Sequence, residues 1–214
     1  MTDIDLQLVR EFFELNFFQV TTHWRQHDPV EVQGDGGLQL YVENAKPGPE
    51  EALEMVLHPS DLPQLHYAVV EIRAWHTDRF YSSLIESNPG VAQFAEPSAL
   101  GPAKDFFGTD DFKTILVVSE LPRAAEQRAQ AIQRLKRTGL DHLIEFASIL
   151  QSLVGKVLLN GTYTGSPTLQ VLQLLKRYRL LRNQQMEFSF PAEPQIVLPM
   201  REENVEVVSE DETD

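Results

Sequence analysis

The chain has 214 residues, a formal net charge of −14 at neutral pH, 42% hydrophobic residues and no cysteine. The lack of cysteine excludes disulfides, thiolate catalysis and cysteine-ligated metal sites, and no apolar run approaches the roughly 20 residues that span a bilayer. The first residues, MTDIDLQLVREFF, also lack the basic head and cleavage region of a secretory signal. We therefore expect a soluble cytoplasmic protein without a membrane partner.

The distribution of charge limits the possible partners. Non-specific nucleic-acid binding needs local positive charge, which a chain this acidic has only in places. Seven acids lie in the last segment, REENVEVVSEDETD, and cations cluster within residues 123–137 and 176–182. An acidic tail combined with basic faces fits either nucleic acid or an acidic protein as partner. The alternative is that the cations simply lie on solvated helix faces.

Hydrophobic periodicity predicts alternating helices and strands. Residues 44–65 are expected to be irregular with one short helical turn near 50–56, and residues 76–97 are expected to be a loop with partial helix. In chain order the predicted elements are a helix at 3–18, strands at 18–24, 38–43 and 67–75, a helix at 97–107, a strand at 112–119, a helix at 122–138, a strand at 141–146, and helices at 148–159 and 168–182.

This order predicts an α/β domain with a mixed central sheet flanked by helices. The early strands should be antiparallel, and the later strands should be joined by helical crossovers. We divide the chain into an α/β core at residues 1–146, a C-terminal helical extension at 147–190 that packs on or beside the core, and an acidic mobile tail at 191–214.

The third predicted strand, YAVVEIRAW, is a nearly continuous apolar run that contains Glu71 and Arg73. Side chains two residues apart point to the same face of a strand. An acid and a cation on a buried strand are costly unless they are paired, bound to a metal or exposed at a site. The pattern therefore indicates either a structural ion pair or a metal site.

The stretches LVREFFELNFFQVTTHW, LQLYVEN and YAVVEIRAW, in this order, resemble the restriction-endonuclease-like PD-(D/E)XK nuclease superfamily. The resemblance covers about residues 5–146. It implies a three-layer domain and a metal-dependent phosphodiesterase site. In such a site, acids on the second and third strands hold Mg²⁺ or Mn²⁺, and a lysine orients the attacking water. Hard oxygen ligands and a cation near the phosphate are also what this chemistry requires.

By this resemblance, Glu71 matches the acid of the third strand, Arg73 replaces the lysine, and Gln39 replaces the acid of the second strand. These three are the candidate catalytic residues. An arginine cannot readily transfer a proton, and glutamine supplies no charge to a metal. Two functions stay open: a nuclease-like protein with a weakened or lost site, and a non-catalytic binding or assembly module on the same fold. Glu71 is the first candidate metal ligand, and other acids that could assist it are Glu43, Asp35, Glu11 and Glu14.

The loop after the third strand, AWHTDRFYSS, is a second candidate site because function often lies in loops at strand ends. His76 and Asp78 could contact a ligand, a phosphate or a metal, while Arg79 and Tyr81 could clamp a nucleotide by charge and stacking. The alternative is that the aromatic residues cap the core. The basic, leucine-rich helix at 168–182 could contact DNA or the second subunit of a homodimer, or could pack on the sheet with a solvated basic face.

Overall fold

The computed structural model describes residues 3–23, 39–49, 51–77 and 79–181. A short 3-10 helix, Leu62–Gln64, precedes the third strand. The helices and strands in chain order are α1 (Asp3–Glu14), β1 (Phe18–His23), β2 (Gln39–Asn44), β3 (Tyr67–Arg73), α2 (Ser82–Ser87), α3 (Gly90–Gln93), α4 (Gly101–Phe107), β4 (Lys113–Val118), α5 (Ala125–Arg137), β5 (His142–Glu145), α6 (Phe146–Lys156) and α7 (Pro167–Arg177).

The five strands form one mixed sheet in the order β1-β2-β3-β4-β5. The pairs β1–β2 and β2–β3 are antiparallel, whereas β3–β4 and β4–β5 are parallel. Parallel neighbours cannot be joined by a tight turn. The chain therefore crosses over through α2, α3 and α4 before β4, and through α5 before β5. The predicted α/β class and mixed sheet flanked by helices are confirmed.

Alternate side chains of the central strands enter two separate hydrophobic clusters. Val70 and Ile115 belong to a cluster that includes residues of α1 and α6. Val69 and Leu116 belong to a cluster that includes residues of α2, α3 and α5. Neighbouring residues of one strand therefore point to different clusters on opposite faces of the sheet, and each cluster contains helix residues. Helices thus cover both faces of the sheet. The odd-numbered positions of β3 face α3 and α5.

The helix predicted at residues 97–107 is present as α4, Gly101–Phe107, and the partial helix expected within 76–97 is present as α2 and α3. Pro89 precedes α3, and Pro102 lies in the first turn of α4. Proline fits a helix start but interrupts a helix interior, which breaks this segment into pieces. Gly108 ends α4 with a φ of +66°, a left-handed conformation that favours glycine.

The helical turn predicted near residues 50–56 is wrong. Val56 instead forms a parallel β-bridge to Leu143. The backbone N–H of Leu143 donates to the carbonyl of Met55, and the N–H of Leu57 donates to the carbonyl of Leu143, both at 2.8 Å. This segment covers the outer edge of β5, whose backbone groups would otherwise be unpaired.

The last described helix is fixed to the first by a buried carboxylate. Glu11 of α1 is 2% exposed and accepts hydrogen bonds from the hydroxyls of Ser166 and Thr168. Ser166 also caps α7, because its Oγ accepts from the N–H of Leu169 at 3.1 Å. α7 thus packs against α1 within the compact unit that contains the sheet. The predicted acidic tail lies outside the described residues, and none of the described helices is long and apolar enough to cross a membrane.

Candidate functional site

The pairing of β2 with β3 brings Gln39 directly opposite Glu71. Arg73 lies two residues further along β3 and therefore shares the face of Glu71. The structure thus brings together the three residues that the sequence suggested as catalytic. All three are buried: Gln39 is 2% exposed, Glu71 is 1% exposed and Arg73 is 6% exposed. We refer to these three residues as the Glu71 cluster.

Both carboxylate oxygens of Glu71 have protein partners. Arg73 donates to Oε1 from Nε at 2.8 Å, and its Nη2 lies 2.7 Å from the same oxygen. The side-chain amide of Gln39 donates to Oε2 at 3.3 Å. A charged pair supported by an added hydrogen bond is the arrangement in which a buried carboxylate can stay ionised. The geometry is that of a structural ion pair.

Helix α3 closes the cluster from the side of Arg73. A Cβ atom placed on Gly90, the first residue of α3, would lie 3.4 Å from Nη2 of Arg73. The backbone of α3 therefore approaches the guanidinium closely. Glu71 is almost fully buried, and α3 adjoins its partner Arg73. Solvent and any dissolved cation therefore reach this carboxylate only if the surrounding structure opens.

The other suggested metal ligands are not brought to Glu71. Glu43 is exposed and pairs with Tyr67. It lies four residues from Gln39 along β2, which is about 13 Å at the usual rise of a strand. Glu11 binds the hydroxyls of α7, and exposed Glu14 pairs with Arg10 at 2.7 Å. Asp35 lies outside the described residues. Among the described residues, no three His, Asp or Glu side chains are placed so that they could hold a metal ion.

The loop after β3 contains a second polar arrangement. His76 Nε2 lies 2.9 Å from Oδ1 of Asp5, a residue of α1 that is only 4% exposed. The imidazole also packs edge-on against the ring of Phe146, with the ring centroids 4.7 Å apart. About half of the His76 side chain remains exposed. A buried carboxylate and an aromatic ring therefore hold a solvent-accessible imidazole in one orientation.

His76 and Arg79 line the same open cleft, which has a volume of about 380 Å³. Arg79 Nε donates to Oε2 of Glu120 at 3.3 Å. Ser119 and Glu120, which follow β4, form another wall of the cleft. The apolar wall comes from the start of α6, and its residues are Phe146, Ala147 and Leu150. We call this space the His76 cleft.

Two residues of the suggested loop site are placed elsewhere or are not described. Tyr81 precedes α2, is 38% exposed and does not line the His76 cleft. Asp78 lies outside the described residues. Asp5 is not among the candidate site residues predicted from the sequence, although it lies four residues before the buried Val9. An acid at a core-facing helical position is the signal that could have indicated a buried partner.

Four of the nine cations in the predicted basic clusters have partners among the described residues: Arg123, Arg128, Arg134 and Lys176. Arg128 binds Glu145 through both terminal nitrogens, at 3.2 and 2.7 Å, and Arg134 pairs with Glu86 at 2.9 Å. The hydrogen bond with Glu145 raises the pKa of Arg128 and so keeps the guanidinium charged. Lys176 of α7 donates to two backbone carbonyls near the end of α6. These contacts leave less positive charge for a polyanion than the sequence suggested.

A second cleft, of about 370 Å³, opens at the other end of the parallel strands. His142 lines it and is 7% exposed, and its Nδ1 lies 2.9 Å from the carbonyl of Glu54. Burial lowers the pKa of His142 below its usual value, and the contact with the Glu54 carbonyl opposes this shift. His142 is therefore held as a neutral imidazole, which makes it a structural residue.

Comparisons with protein-family models, with curated proteins and with solved structures give no match to this chain. The resemblance to the restriction-endonuclease-like superfamily therefore stays a prediction from the order of elements and from Glu71 and Arg73. The assignment to the α/β class is independent of that resemblance, because it follows from the described strands and helices.

Proposed function

We propose that this chain is a non-catalytic binding or assembly module on a nuclease-like α/β fold. The observation that carries the proposal is the state of Glu71. The carboxylate that would have to hold a metal is 1% exposed and is bound by Arg73 and Gln39. In this proposal, the Glu71 cluster stabilises the contact between β2, β3 and α3.

The cost of exposing Glu71 supports this proposal. A metal ion could reach the carboxylate only by displacing Arg73, and separating a buried ion pair leaves a desolvated charge behind. Removing one partner of such a pair costs about 3–5 kcal/mol. Mg²⁺ also keeps most of its water and prefers several carboxylate or phosphate ligands, whereas the described structure places a neutral amide, Gln39, beside Glu71.

A metal-dependent nuclease is the second candidate, and one observation favours it. The β2–β3 register places position 39 directly opposite position 71. That is the relationship that the resemblance implies for the acids of the second and third strands. For this candidate, the Glu71 cluster would have to rearrange when metal and nucleic acid bind.

A Mn²⁺ titration followed by thermal melting separates the two candidates. We expect no metal-dependent rise in the melting temperature of the wild type, and the same result for Glu71→Gln. The matched control is Glu43→Gln, which removes an exposed acid from the same pair of strands. A rise in melting temperature that is present in the wild type and in Glu43→Gln, but absent in Glu71→Gln, would establish a metal site and overturn the proposal.

A further inference from the structure

The His76 cleft lies where the carboxyl ends of the parallel strands meet. Its wall residues follow β3 (His76, Thr77), β4 (Ser119, Glu120) and β5 (Phe146, Ala147). In open α/β sheets this edge is the usual place for ligands, because the connections that leave neighbouring strands diverge there. The volume of about 380 Å³ is in the range of sites that take small molecules.

The hydrogen-bonding capacity of His76 is only half used. Within the described residues, its one hydrogen bond joins Nε2 to Asp5, at 2.9 Å. Nδ1 of the same ring is therefore available to a ligand, and the ring is about half exposed. A carboxylate accepts hydrogen bonds, so Nε2 of the ring is the donor in the contact with Asp5.

The second group is Arg79, whose bond to Glu120 is weak. The Nε–Oε2 distance is 3.3 Å, and both side chains are more than a third exposed, so solvent screens the pair. Within the described residues, Arg79 forms hydrogen bonds through Nε alone, which leaves its two terminal amino groups available. A planar guanidinium with two free amino groups matches the geometry of a carboxylate or a phosphate.

Arg79 shares its carboxylate partner with a second arginine. Glu120 is shared between Arg79 and Arg123, which lies 3.3 Å from its other oxygen. The hydrogen bond from Arg123 lowers the pKa of Glu120, so this carboxylate is ionised at neutral pH. Glu120 is thus shared by two guanidinium groups and offsets the charge of Arg79 only in part.

We propose that the His76 cleft binds a small molecule through an oxyanion group, a phosphate or a carboxylate, that contacts Arg79, and that Nδ1 of His76 contacts the same molecule. The hydroxyl of Thr77 lies in the same wall, and the apolar residues at the start of α6 would pack against the rest of the molecule. Asp5 acts as a positioning residue that orients the imidazole. This inference rests on the proposed binding function and names its ligand class.

The test uses the full chain in EDTA, with inorganic phosphate and acetate as separate probes and sodium chloride at matched ionic strength as the reference. Binding is followed by thermal melting and by the NMR signals of the His76 ring. We expect at least one anion to raise the melting temperature and to shift the His76 signals with a saturable dependence. The anion that binds more tightly identifies the group that the cleft prefers.

Two arginine variants make the test specific. Arg79→Gln should weaken anion binding by about tenfold or more, because it removes a charge-assisted, two-point contact. Arg123→Gln is the matched control, because Arg123 contacts the same Glu120 but does not line the cleft. This variant keeps the direct contact of Arg79 with the anion, so it should weaken binding clearly less than Arg79→Gln does. Asp5→Asn should weaken binding and change the His76 ring signals in the absence of anion.

The inference is overturned if neither anion shifts the His76 signals, or if Arg79→Gln binds as tightly as the wild type. Arg79 is partly exposed, so this variant is expected to fold even if Asp5→Asn does not. The outcome is also independent of the Mn²⁺ titration. If neither anion binds and Mn²⁺ has no effect, only the proposed anion binding at the His76 cleft is rejected. If Mn²⁺ raises the melting temperature and the effect depends on Glu71, the proposed function is rejected.

Discussion

Substitution of Glu71 by glutamine is the most informative change to the fold. The variant keeps the shape of the side chain and removes its charge, so that the guanidinium of Arg73, only 6% exposed, loses its ion pair with this carboxylate. Removing one charge of a buried ion pair costs about 3–5 kcal/mol. In a domain of this size each 1 kcal/mol shifts the melting temperature by about 2–4 °C, so we expect a fall of roughly 6–20 °C.

A double-mutant cycle distinguishes an ion pair from simple loss of packing. Glu71→Leu combined with Arg73→Met removes both charges of the pair, although the amide of Gln39 loses its acceptor in each variant that lacks Glu71. The double variant should therefore be more stable than Glu71→Leu alone. Urea denaturation monitored by circular dichroism gives the free energy of unfolding of each variant. Glu43→Gln, an exposed acid on the neighbouring strand, should change that free energy by less than about 0.5 kcal/mol.

The reasoning is refuted if Glu71→Gln costs less than about 1 kcal/mol, or if the two substitutions are additive in the cycle. Either result would mean that Glu71 does not stabilise the buried charge of Arg73. The carboxylate would then be free to serve another partner, which is what a metal site would need.

Three further predictions concern stability. Glu11→Ala leaves the half-buried hydroxyls of Ser166 and Thr168 without their acceptor and should lower the free energy of unfolding by about 1–3 kcal/mol in urea denaturation. Ser166→Ala, which removes the cap of α7, should lower it by about 0.5–2 kcal/mol. The pKa of His142 is lower in the folded chain than in the unfolded chain, where it is near 6.5, so the unfolded chain binds more protons between these two pKa values. The free energy of unfolding should therefore fall as the pH is lowered through this range. His142→Gln should flatten this part of the pH–stability curve. Phe80→Ala empties a fully buried position stacked on an aromatic neighbour and should cost about 3–5 kcal/mol in urea denaturation, whereas Tyr81→Ala at the adjacent exposed position should cost under 1 kcal/mol.

The sheet was predictable because its strands carry strong local signals. The runs around Val70 and Ile115 are apolar and β-branched, as is typical of strands with helices on both faces. The polar turn residues between the early strands and the helical periodicity at 122–138 indicated which neighbours are antiparallel and which are parallel. Local sequence was less informative for residues 82–107, because several prolines and glycines start and stop helices within a few residues.

The candidate sites were predictable only in part. Residues 71 and 73 lie on one strand, so their shared face followed from periodicity. The contact of His76 with Asp5 joins residues 71 positions apart and depends on how α1 packs against the sheet, which no local pattern specifies. The burial of Glu71 likewise depends on α3 approaching Arg73 at Gly90, a tertiary contact that the sequence does not show.

The central claim is that Glu71 is a structural residue and does not bind metal. Electron paramagnetic resonance of free Mn²⁺ in the presence of the full chain tests this claim most directly, because bound Mn²⁺ is lost from the sharp signal of the free ion. The account predicts the same free Mn²⁺ signal for the wild type and for Glu71→Gln at equal protein concentration. A stoichiometric loss of signal with the wild type that disappears with Glu71→Gln would contradict the account and identify a metal centre at this strand.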